Sequence, residues 1–399
     1  MAVPPNDRLK PMDKPLPSRR KILRTLALAA IVGGGVLIFT LITSRTDYIS
    51  YWSAGKLLMH RADPYSPAGA FALEKAEGFT RGFMVMLNPP WSLFLAASLG
   101  FGGVRVGLFL WTLAGVACIF LSAQLLDVPS KDRAFAYVFA PAVAAVFMGQ
   151  SSPFTLLGFA LFLYFHRTRP FLAGASLLLM ALKPHLFILF WVILLVDCIH
   201  RRRFLILAGF ISALAGGSLF PVLFDAHVWR HYLAMLQGST LKHQVFPTVS
   251  MLFRILIDPN AFWLLFVPSA LATVWALWYY ATRRQEWDWR THGMLLMLVS
   301  VLVSPYSWLT DEAVLMPSIL FALAIPEKRK NSGWILLAIN TAVLFIALVN
   351  QASLTSRAYL WTPLAWLAWF LYATPGFRLR HESAPLQNAE AAWSGNTGD

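Results

Sequence analysis

The sequence has few charged residues for its length. Of its 399 residues, 13% are charged and 58% are hydrophobic, and the mean hydropathy is +0.60. This composition excludes a soluble globular domain, because such a domain needs more charge on its surface. Apolar runs recur along nearly the whole chain, many of them approaching the length of a bilayer-spanning helix. The composition therefore predicts an all-α, polytopic integral membrane protein.

Acidic residues are scarce, at 19 against 33 lysines and arginines, so the formal net charge is +14. In a soluble protein this excess would suggest a nucleic-acid partner. Here most basic residues lie in the short segments between apolar runs, as the preference of cytoplasmic loops for positive charge predicts. We therefore expect membrane lipids, and no nucleic acid, as partners.

Cysteines and nucleotide-binding motifs are also scarce. Cys118 and Cys198, the two cysteines, both fall in apolar runs, which excludes a disulfide framework. No Walker loop and no GxGxxG motif after a strand is present, so a nucleotide-bound substrate has no evident site. The sequence also contains no visible internal repeat, and this argues against the common transporter folds.

The sequence gives no clear indication of a metal site or another cofactor. His185 has no second histidine, cysteine or acid near it at the spacing of metal ligands. The loop histidines His227, His231 and His243 are predicted to lie at the surface. A divalent cation shared by Asp47 and Asp311 is left open, as is the simpler hypothesis that both acids only line a cavity.

The apolar runs predict about 12 transmembrane helices with both termini in the cytoplasm. Residues 1–24 form a disordered cytoplasmic N-terminus, residues 25–373 the membrane domain, and residues 374–399 a disordered cytoplasmic tail. The first run, Thr25 to Ile42, resembles a signal peptide, but Ser44-Arg45-Thr46 is a poor cleavage site. We therefore predict a retained first span, followed by an extracytoplasmic loop over residues 43–90.

Two interfacial helices are predicted in this first loop. Tyr48, Tyr51, Trp52 and Gly55 recur at helical spacing after Asp47, which indicates an amphipathic helix on the membrane surface. The sequence Asp63-Pro64-Tyr65-Ser66-Pro67 ends it. After Asn88-Pro89-Pro90, an apolar stretch too short to span a bilayer predicts a re-entrant or interfacial helix.

The run from Phe171 to Cys198 is interrupted in its middle by Lys183-Pro184-His185. Basic residues flank both of its ends, so both ends are predicted to be cytoplasmic and the run must turn back. The simplest solution is two short helices that meet at Lys183. Polar backbone at that depth is tolerated only beside a cavity or inside protein, so we expect a cavity there.

Four polar corners fall on the same predicted side: Asp47, Gly149-Gln150, Lys183-Pro184-His185, and the stretch from Tyr306 to Glu312. Each has a simpler structural explanation. Asp47 and Asp311 could cap helices, Lys183 could extend to the headgroups, Gln150 could end a helix, and His185 could be an interior histidine. Tyr306 and Trp308 could anchor the chain at the interface.

Together the four corners fit one chemistry. A carboxylate beside a hydroxyl can act as a general base. A cation at a helix break can hold a phosphate and stabilise it as it leaves. Aromatic side chains can stack on a sugar. A lipid-phosphate donor that enters from the bilayer needs only such a cationic corner and a cavity.

At these residues the chain resembles the GT-C glycosyltransferases, and most closely glycosyltransferase family 87, over roughly Ile22 to Trp369. Ser151 stands where relatives commonly have Asn, and Leu309-Thr310-Asp311 replaces a pair of histidines that many carry. The motifs that carry the resemblance are Asp47 with Tyr51 and Gly55, Asp63-Pro64-Tyr65, Asn88-Pro89-Pro90, Gly149-Gln150, Ala173-Gly174 leading to Lys183-Pro184, and Ser304-Pro305-Tyr306 leading to Asp311.

The resemblance implies a GT-C-like architecture and an inverting transfer of a sugar, mannose by analogy, from a polyprenyl phosphate to a lipid or glycan acceptor. It implies Asp47 as the base and Lys183, with His185, as the site for the donor phosphate. It also implies a bacterial inner-membrane location with an extracytoplasmic active site. The residues expected to line the cavity are Tyr51, Asn88, Gln150, Tyr306, Trp308 and Asp311.

Two other functions remain open from the sequence. A multi-pass transporter or lipid flippase could use the same polar corners as a permeation path, but it predicts polar residues on both sides of the midplane. A non-catalytic scaffold does not explain the Lys183-Pro184 break within an apolar run. An enzyme accounts best for polar residues clustered on one side.

Overall fold

A computed structural model of the chain describes residue 35 and residues 47–79, 84–126, 128–238, 244–325, 329–350 and 357–375. All regular structure in these residues is helical, as predicted. The α-helices are α1 (Tyr48–Met59), α2 (Pro67–Ala76), α3 (Leu93–Leu99), α4 (Val104–Leu125), α5 (Ser130–Arg133), α6 (Ala140–Phe147), α7 (Ser152–Phe165), α8 (Pro170–Met180), α9 (Ile188–His200), α10 (Phe204–Leu219), α11 (Val228–Gly238), α12 (Val249–Ile257), α13 (Val267–Arg283), α14 (His292–Leu302), α15 (Met316–Ala324), α16 (Ser332–Asn350) and α17 (Thr362–Ala373).

Three of the described helical stretches are long and apolar enough to cross a membrane: 104–125, 204–223 and 262–283. All three also expose large apolar side chains, such as Val106 on α4, Ile211 on α10 and Val274 on α13. Such exposure is costly in water and favourable against lipid. The protein is therefore membrane-associated. The predicted N-terminus, all of the predicted first span except residue 35, and most of the tail lie outside the described residues.

The predicted break at Lys183 is confirmed. Helix α8 ends at Met180, a 3₁₀ turn covers Pro184–Phe187, and α9 begins at Ile188. Pro184 explains this geometry, because proline lacks an amide hydrogen and restricts the residue before it to non-helical conformations. Lys183 accordingly has φ −135° and ψ 69°.

The helix predicted after Asp47 is present, but its surface location is wrong. In α1, Tyr48, Tyr51 and Trp52 are all buried, at 5% exposure or less, and so are residues on the other faces of the helix. The cause is close packing against α3. A Cβ atom built on Gly55 would lie 1.9 Å from the Ala96 carbonyl oxygen, so only glycine permits this approach.

Helices α8 and α10 pack through a reciprocal pair of glycines. A Cβ on Gly174 would lie 1.9 Å from the Ile206 carbonyl oxygen, and a Cβ on Gly209 would lie 2.0 Å from that of Phe171. Small residues let two helix backbones approach, which is the usual basis of helix packing in membranes. This contact holds α8, and with it the break at Lys183, against the rest of the bundle.

Candidate functional site

Gln150 lies at the end of α6 in a helix-terminating turn. Gly149 adopts the left-handed conformation, with φ +65°, which glycine reaches without steric cost. The Gln150 amide donates to the Ala145 carbonyl at 2.9 Å and the Gly149 amide to that of Val146 at 3.1 Å. This is the Schellman pattern, which ends a helix and turns the next residue out of it. The Gly149-Gln150 motif thus presents the Gln150 side chain beyond the helix end.

Asp47 lies against the same helix end. Its backbone amide donates to the Met148 carbonyl at 2.7 Å, and its side-chain Oδ2 accepts a hydrogen bond from Nε2 of Gln150. The Asp47 side chain makes no capping bond to α1. The hypothesis that Asp47 serves only as a helix cap is therefore wrong, since its carboxylate points to Gln150 instead.

Lys183 is buried, at 4% exposure, and all three of its hydrogens have partners. Its Nζ donates to Oδ1 of Asp311 at 2.5 Å, to Oε1 of Gln150 at 2.9 Å and to Oγ of Ser152 at 3.2 Å. A lysine that extends toward lipid headgroups would keep its ammonium in water. The structure contradicts that explanation and places Lys183 in a buried ion pair.

Asp311 lies in the 3₁₀ turn Leu309–Leu315 and is fully buried. Its Oδ1 accepts from Ser152 at 2.7 Å as well as from Lys183. Its Oδ2 accepts from the Trp308 amide at 3.0 Å. Asp311 therefore caps the turn that contains it, and not the helix that follows it as one hypothesis expected. It also neutralises Lys183.

Four side chains from distant parts of the sequence thus form one continuous chain of hydrogen bonds: Asp47, Gln150, Lys183 and Asp311. The Gln150 amide has a defined orientation, because Lys183 can only donate and the acceptor it meets must be the carbonyl oxygen. The NH₂ group then faces Asp47. Lys183 consequently determines which atom of Gln150 the Asp47 carboxylate meets.

Asn88 joins the 43–90 segment to the break at Lys183. Its Nδ2 donates to the Leu182 carbonyl at 2.8 Å, and Trp91 Nε1 donates to the Ala181 carbonyl at 2.7 Å. Carbonyls at a helix end lack partners within the helix and need others when buried. Asn88 and Trp91 supply them, which explains why a helix can end there inside the protein.

Tyr51, which was predicted to line a cavity, also reaches this region. Its hydroxyl donates to Ser151 Oγ at 3.1 Å, and its ring stacks on Trp111 with the centroids 4.9 Å apart. Trp111 in turn donates from Nε1 to the Gly149 carbonyl at 2.8 Å. These contacts hold the Gly149-Gln150 turn in place.

His185, Tyr306 and Trp308 form the aromatic part of the site. The His185 ring stacks on Tyr306 at 3.8 Å between centroids, and Trp308 lies 5.7 Å from the Lys183 ammonium. Tyr306 and Trp308 pack against Phe246 rather than standing apart as interfacial anchors. The Nε2 atom of His185 is buried and has no hydrogen-bond partner among the described residues, so His185 is not a satisfied interior histidine.

The electrostatics of the site favour a carboxylate that can accept a proton. Asp47 lies beyond the first predicted span, and burial raises the pKa of its carboxyl group. The hydrogen bond from Gln150 and the charge of Lys183 act in the opposite direction. With Asp311 paired to Lys183, Asp47 carries the unbalanced negative charge of the four-residue chain.

Two residues of this site were not predicted from the sequence. Ser151 and Ser152 link Tyr51 to the Gly149 turn and Lys183 to Asp311. Their position directly after Gly149-Gln150, at the start of α7, was the available signal. Serines at helix starts are common as local caps, however, so the pattern does not separate a network role from capping.

These features define a membrane-associated, all-helical protein whose polar site is built at helix breaks. The sequence model of glycosyltransferase family 87 matches residues 86–305, more than half of the chain. The chain therefore belongs to glycosyltransferase family 87 and is a glycosyltransferase. The match includes Gln150 and Lys183, while Asp47 and Asp311 lie outside it. Neither the comparison with curated proteins nor that with solved structures found a match.

Proposed function

We propose that this glycosyltransferase moves a sugar, mannose by family analogy, from a polyprenyl phosphate to a lipid or glycan acceptor with inversion. The observation that carries the proposal is the half-buried Asp47 carboxylate, held by Gln150 beside a cation at a helix break. A general base needs a pKa raised toward the working pH, and burial moves Asp47 in that direction.

In this mechanism Asp47 accepts the proton of the acceptor hydroxyl. The acceptor oxygen then bonds to the anomeric carbon from the face opposite the phosphate. The bond between that carbon and the phosphate oxygen breaks, and its electron pair leaves with the polyprenyl phosphate. One displacement inverts the anomeric configuration, and Asp47 later returns its proton to solvent.

Lys183 has two roles in the proposal. It positions Gln150, and it offers a cation to the donor phosphate, which would take the place of Ser152 as an acceptor. The unpartnered Nε2 of His185 supports a second contact to that phosphate. Both contacts would strengthen as charge develops on the leaving group.

The other predicted site residues line the cavity in this proposal: Tyr51, Asn88, Gln150, Tyr306, Trp308 and Asp311. The architecture proposed around it is GT-C-like, with about 12 spans formed by the long helices and by the shorter apolar helices that meet at breaks. The proposed location is a bacterial inner membrane with the site on the extracytoplasmic side.

The test is sugar transfer in membranes that contain the protein, with radiolabelled polyprenyl-phosphate sugars as donors. Wild type is compared with Asp47→Asn, which keeps the shape of the side chain and removes the base. Asp258→Asn, at an exposed aspartate, is the matched control. Label should enter a product in wild type and in the control only.

Two results would overturn parts of this proposal. Full activity of Asp47→Asn, at wild-type abundance, would remove Asp47 as the base. No transfer from any polyprenyl-phosphate donor by correctly inserted protein would remove the donor class, and movement of labelled lipid across the bilayer would then support a flippase.

A further inference from the structure

A second polar cluster lies outside the four-residue chain described above. It consists of Asp63, Asp225 and His231, whose ligand atoms all lie within 4.8 Å of one another. The Nδ1 atom of His231 is 2.7 Å from Oδ2 of Asp225 and 3.5 Å from Oδ1 of Asp63. His231 was predicted to lie at the surface, and 32% of its side chain is exposed. It also contacts two carboxylates, which the sequence did not predict.

The three residues come from two distant segments. Asp63 follows α1, whereas Asp225 precedes α11 and His231 lies within it. The neighbouring aromatic residues hold these segments together, since the rings of Tyr65 and Tyr232 pack with their centroids 5.1 Å apart. The convergence of the cluster is thus built into the packing of both segments.

Backbone amides orient both carboxylates. Asp63 Oδ1 accepts from the Tyr65 amide at 2.8 Å, and Asp225 Oδ1 accepts from the His227 amide at 2.9 Å. The Asp225 Oδ2 atom is left facing the His231 ring. Metal ligands usually have such hydrogen-bond partners, which fix the orientation of the ligand. The two carboxylates are therefore already oriented for binding a metal.

The charges of the cluster are not balanced. Among the described residues, neither Asp63 nor Asp225 forms an ion pair with a lysine or arginine, and both face one imidazole. A protonated His231 would neutralise one of the two carboxylates and a neutral ring would neutralise neither. Like charges at this distance repel. A divalent cation would offset both carboxylates and use the ring nitrogen as its third ligand.

We propose that Asp63, Asp225 and His231 bind a divalent transition metal, of the Zn²⁺ class. Two carboxylates and one imidazole suit Zn²⁺ and to a lesser degree Mn²⁺, whereas Mg²⁺ and Ca²⁺ prefer oxygen ligands alone. Three protein ligands leave a coordination position open for water or an oxygen of a bound molecule.

The metal would clamp the 43–90 segment to the start of α11. Two residues after Asp63, the Tyr65 hydroxyl donates to the Asn88 carbonyl at 2.9 Å, and Asn88 holds the Leu182 carbonyl beside Lys183. Asp63 is therefore connected to the break at Lys183 through Tyr65, Asn88 and the two hydrogen bonds that these residues donate. Its function is to hold Asn88, and the helix end that Asn88 completes, in place.

The test uses the full chain, purified in detergent and stripped of metals with a chelator. Zn²⁺ binding is measured by calorimetry and by metal content after dialysis, so no transfer assay is involved and the outcome is independent of the proposed function. We expect one Zn²⁺ per chain and weak binding of Mg²⁺. Removing a group that hydrogen-bonds to a metal ligand lowers metal affinity about 10- to 100-fold. Removing a ligand itself should cost more, so His231→Ala and Asp225→Asn should lower Zn²⁺ affinity by more than about 100-fold.

Matched controls are available on the same chain. His60→Ala removes an exposed histidine of the 43–90 segment, and Asp258→Asn removes an exposed aspartate; both should bind Zn²⁺ as wild type does. Wild type should also unfold at a higher temperature with Zn²⁺ present, because a ligand that binds only the folded state stabilises it.

Two results would overturn the proposal. The first is Zn²⁺ content or affinity in His231→Ala equal to that of wild type. The second, which needs no variant and so does not depend on variant folding, uses Co²⁺ as a probe of wild type. Absence of visible d–d absorption upon Co²⁺ addition, together with no calorimetric signal for Zn²⁺, would show that His231 forms only an ion pair with the two aspartates.

Discussion

Gln150 donates a hydrogen bond to Asp47 across 103 positions of the sequence and accepts one from Lys183 on its other amide atom. The Gln150 amide thereby joins the Asp47 carboxylate to the Lys183 ammonium group, although these two groups share no hydrogen bond. The helix breaks at Gln150 and Lys183 are thus connected, and a change at Gln150 should alter the environment of the Asp47 carboxylate.

Replacement of Gln150 by leucine should lower kcat/KM for sugar transfer by about 100-fold, because a displaced catalytic group can cost that much. The exposed Gln237 offers a matched control, and Gln237→Ala should transfer sugar at the wild-type rate. Equal rates for Gln150→Leu and wild type, in protein of equal thermal stability, would exclude a positioning role for Gln150.

The pH dependence of the same variant gives a separate prediction. In the proposed mechanism Asp47 must be deprotonated to act as a base, so activity should rise with pH through its pKa. Burial raises this pKa and the Gln150 hydrogen bond lowers it. Removal of that bond should therefore raise the pKa and move the acid limb of the kcat/KM profile to higher pH. An acid limb that stays in place would mean that another group controls it.

Lys183→Met should destabilise the protein strongly, because it leaves the buried Asp311 carboxylate without its cation. Breaking one partner of a buried ion pair costs about 3–5 kcal/mol, whereas replacing both by apolar residues is often neutral. The double variant Lys183→Met/Asp311→Leu should therefore recover stability. Thermal unfolding in detergent measures this, with Lys75→Met at an exposed position as the control.

The ion pair would be contradicted if the stability losses of Lys183→Met and Asp311→Leu simply added in the double variant. If the double variant lost as much as the two single variants together, Lys183 and Asp311 would contribute independently of each other.

Gly174→Ala should destabilise the contact between α8 and α10. The new Cβ would lie 1.9 Å from the Ile206 carbonyl oxygen, and overpacking of this kind costs about 1–3 kcal/mol. Gly216→Ala, on α10, has nothing within 4 Å of its Cβ and should gain up to about 1 kcal/mol from helix propensity. Thermal midpoints that shifted in the same direction for both variants would contradict this packing.

Glu74 should make stability depend on pH. The side chain is fully buried in α2, accepts from the Met84 amide at 3.1 Å and leaves Oε1 without a partner among the described residues. Burial raises the pKa of Glu74 to about 7, against an ordinary value of 4.5, although the Met84 hydrogen bond opposes this.

The folded state therefore holds a proton that the unfolded state releases between pH 4.5 and about 7. The contribution of Glu74 to the free energy of unfolding is fully present below pH 4.5 and is lost as pH rises through about 7. Glu74→Gln, which buries no charge, should remove this loss and be more stable than wild type above pH 7. Glu77→Gln, at an exposed glutamate, should keep the wild-type pH profile, and an unchanged profile in Glu74→Gln would contradict the assignment.

Local chemistry made several elements predictable. Pro184 ends a helix at Lys183, Gly149 ends one before Gln150, and a high apolar content indicates a membrane. The same local view misjudged α1, because a pattern of aromatics at helical spacing does not distinguish a lipid-facing stripe from one buried against α3. That difference depends on Gly55 and on the backbone it meets.

The sequence by itself determined the helical class, the helix breaks and the kinds of polar group that stand at each break, because these depend on residues within one or two helical turns. Only the tertiary structure decided which groups meet. Asp47 could cap a helix, Lys183 could reach the lipid surface and His231 could lie alone at the surface, and each instead contacts a residue far away in the chain. Such pairings depend on how helices pack, and packing is decided by contacts between distant segments that no local pattern contains.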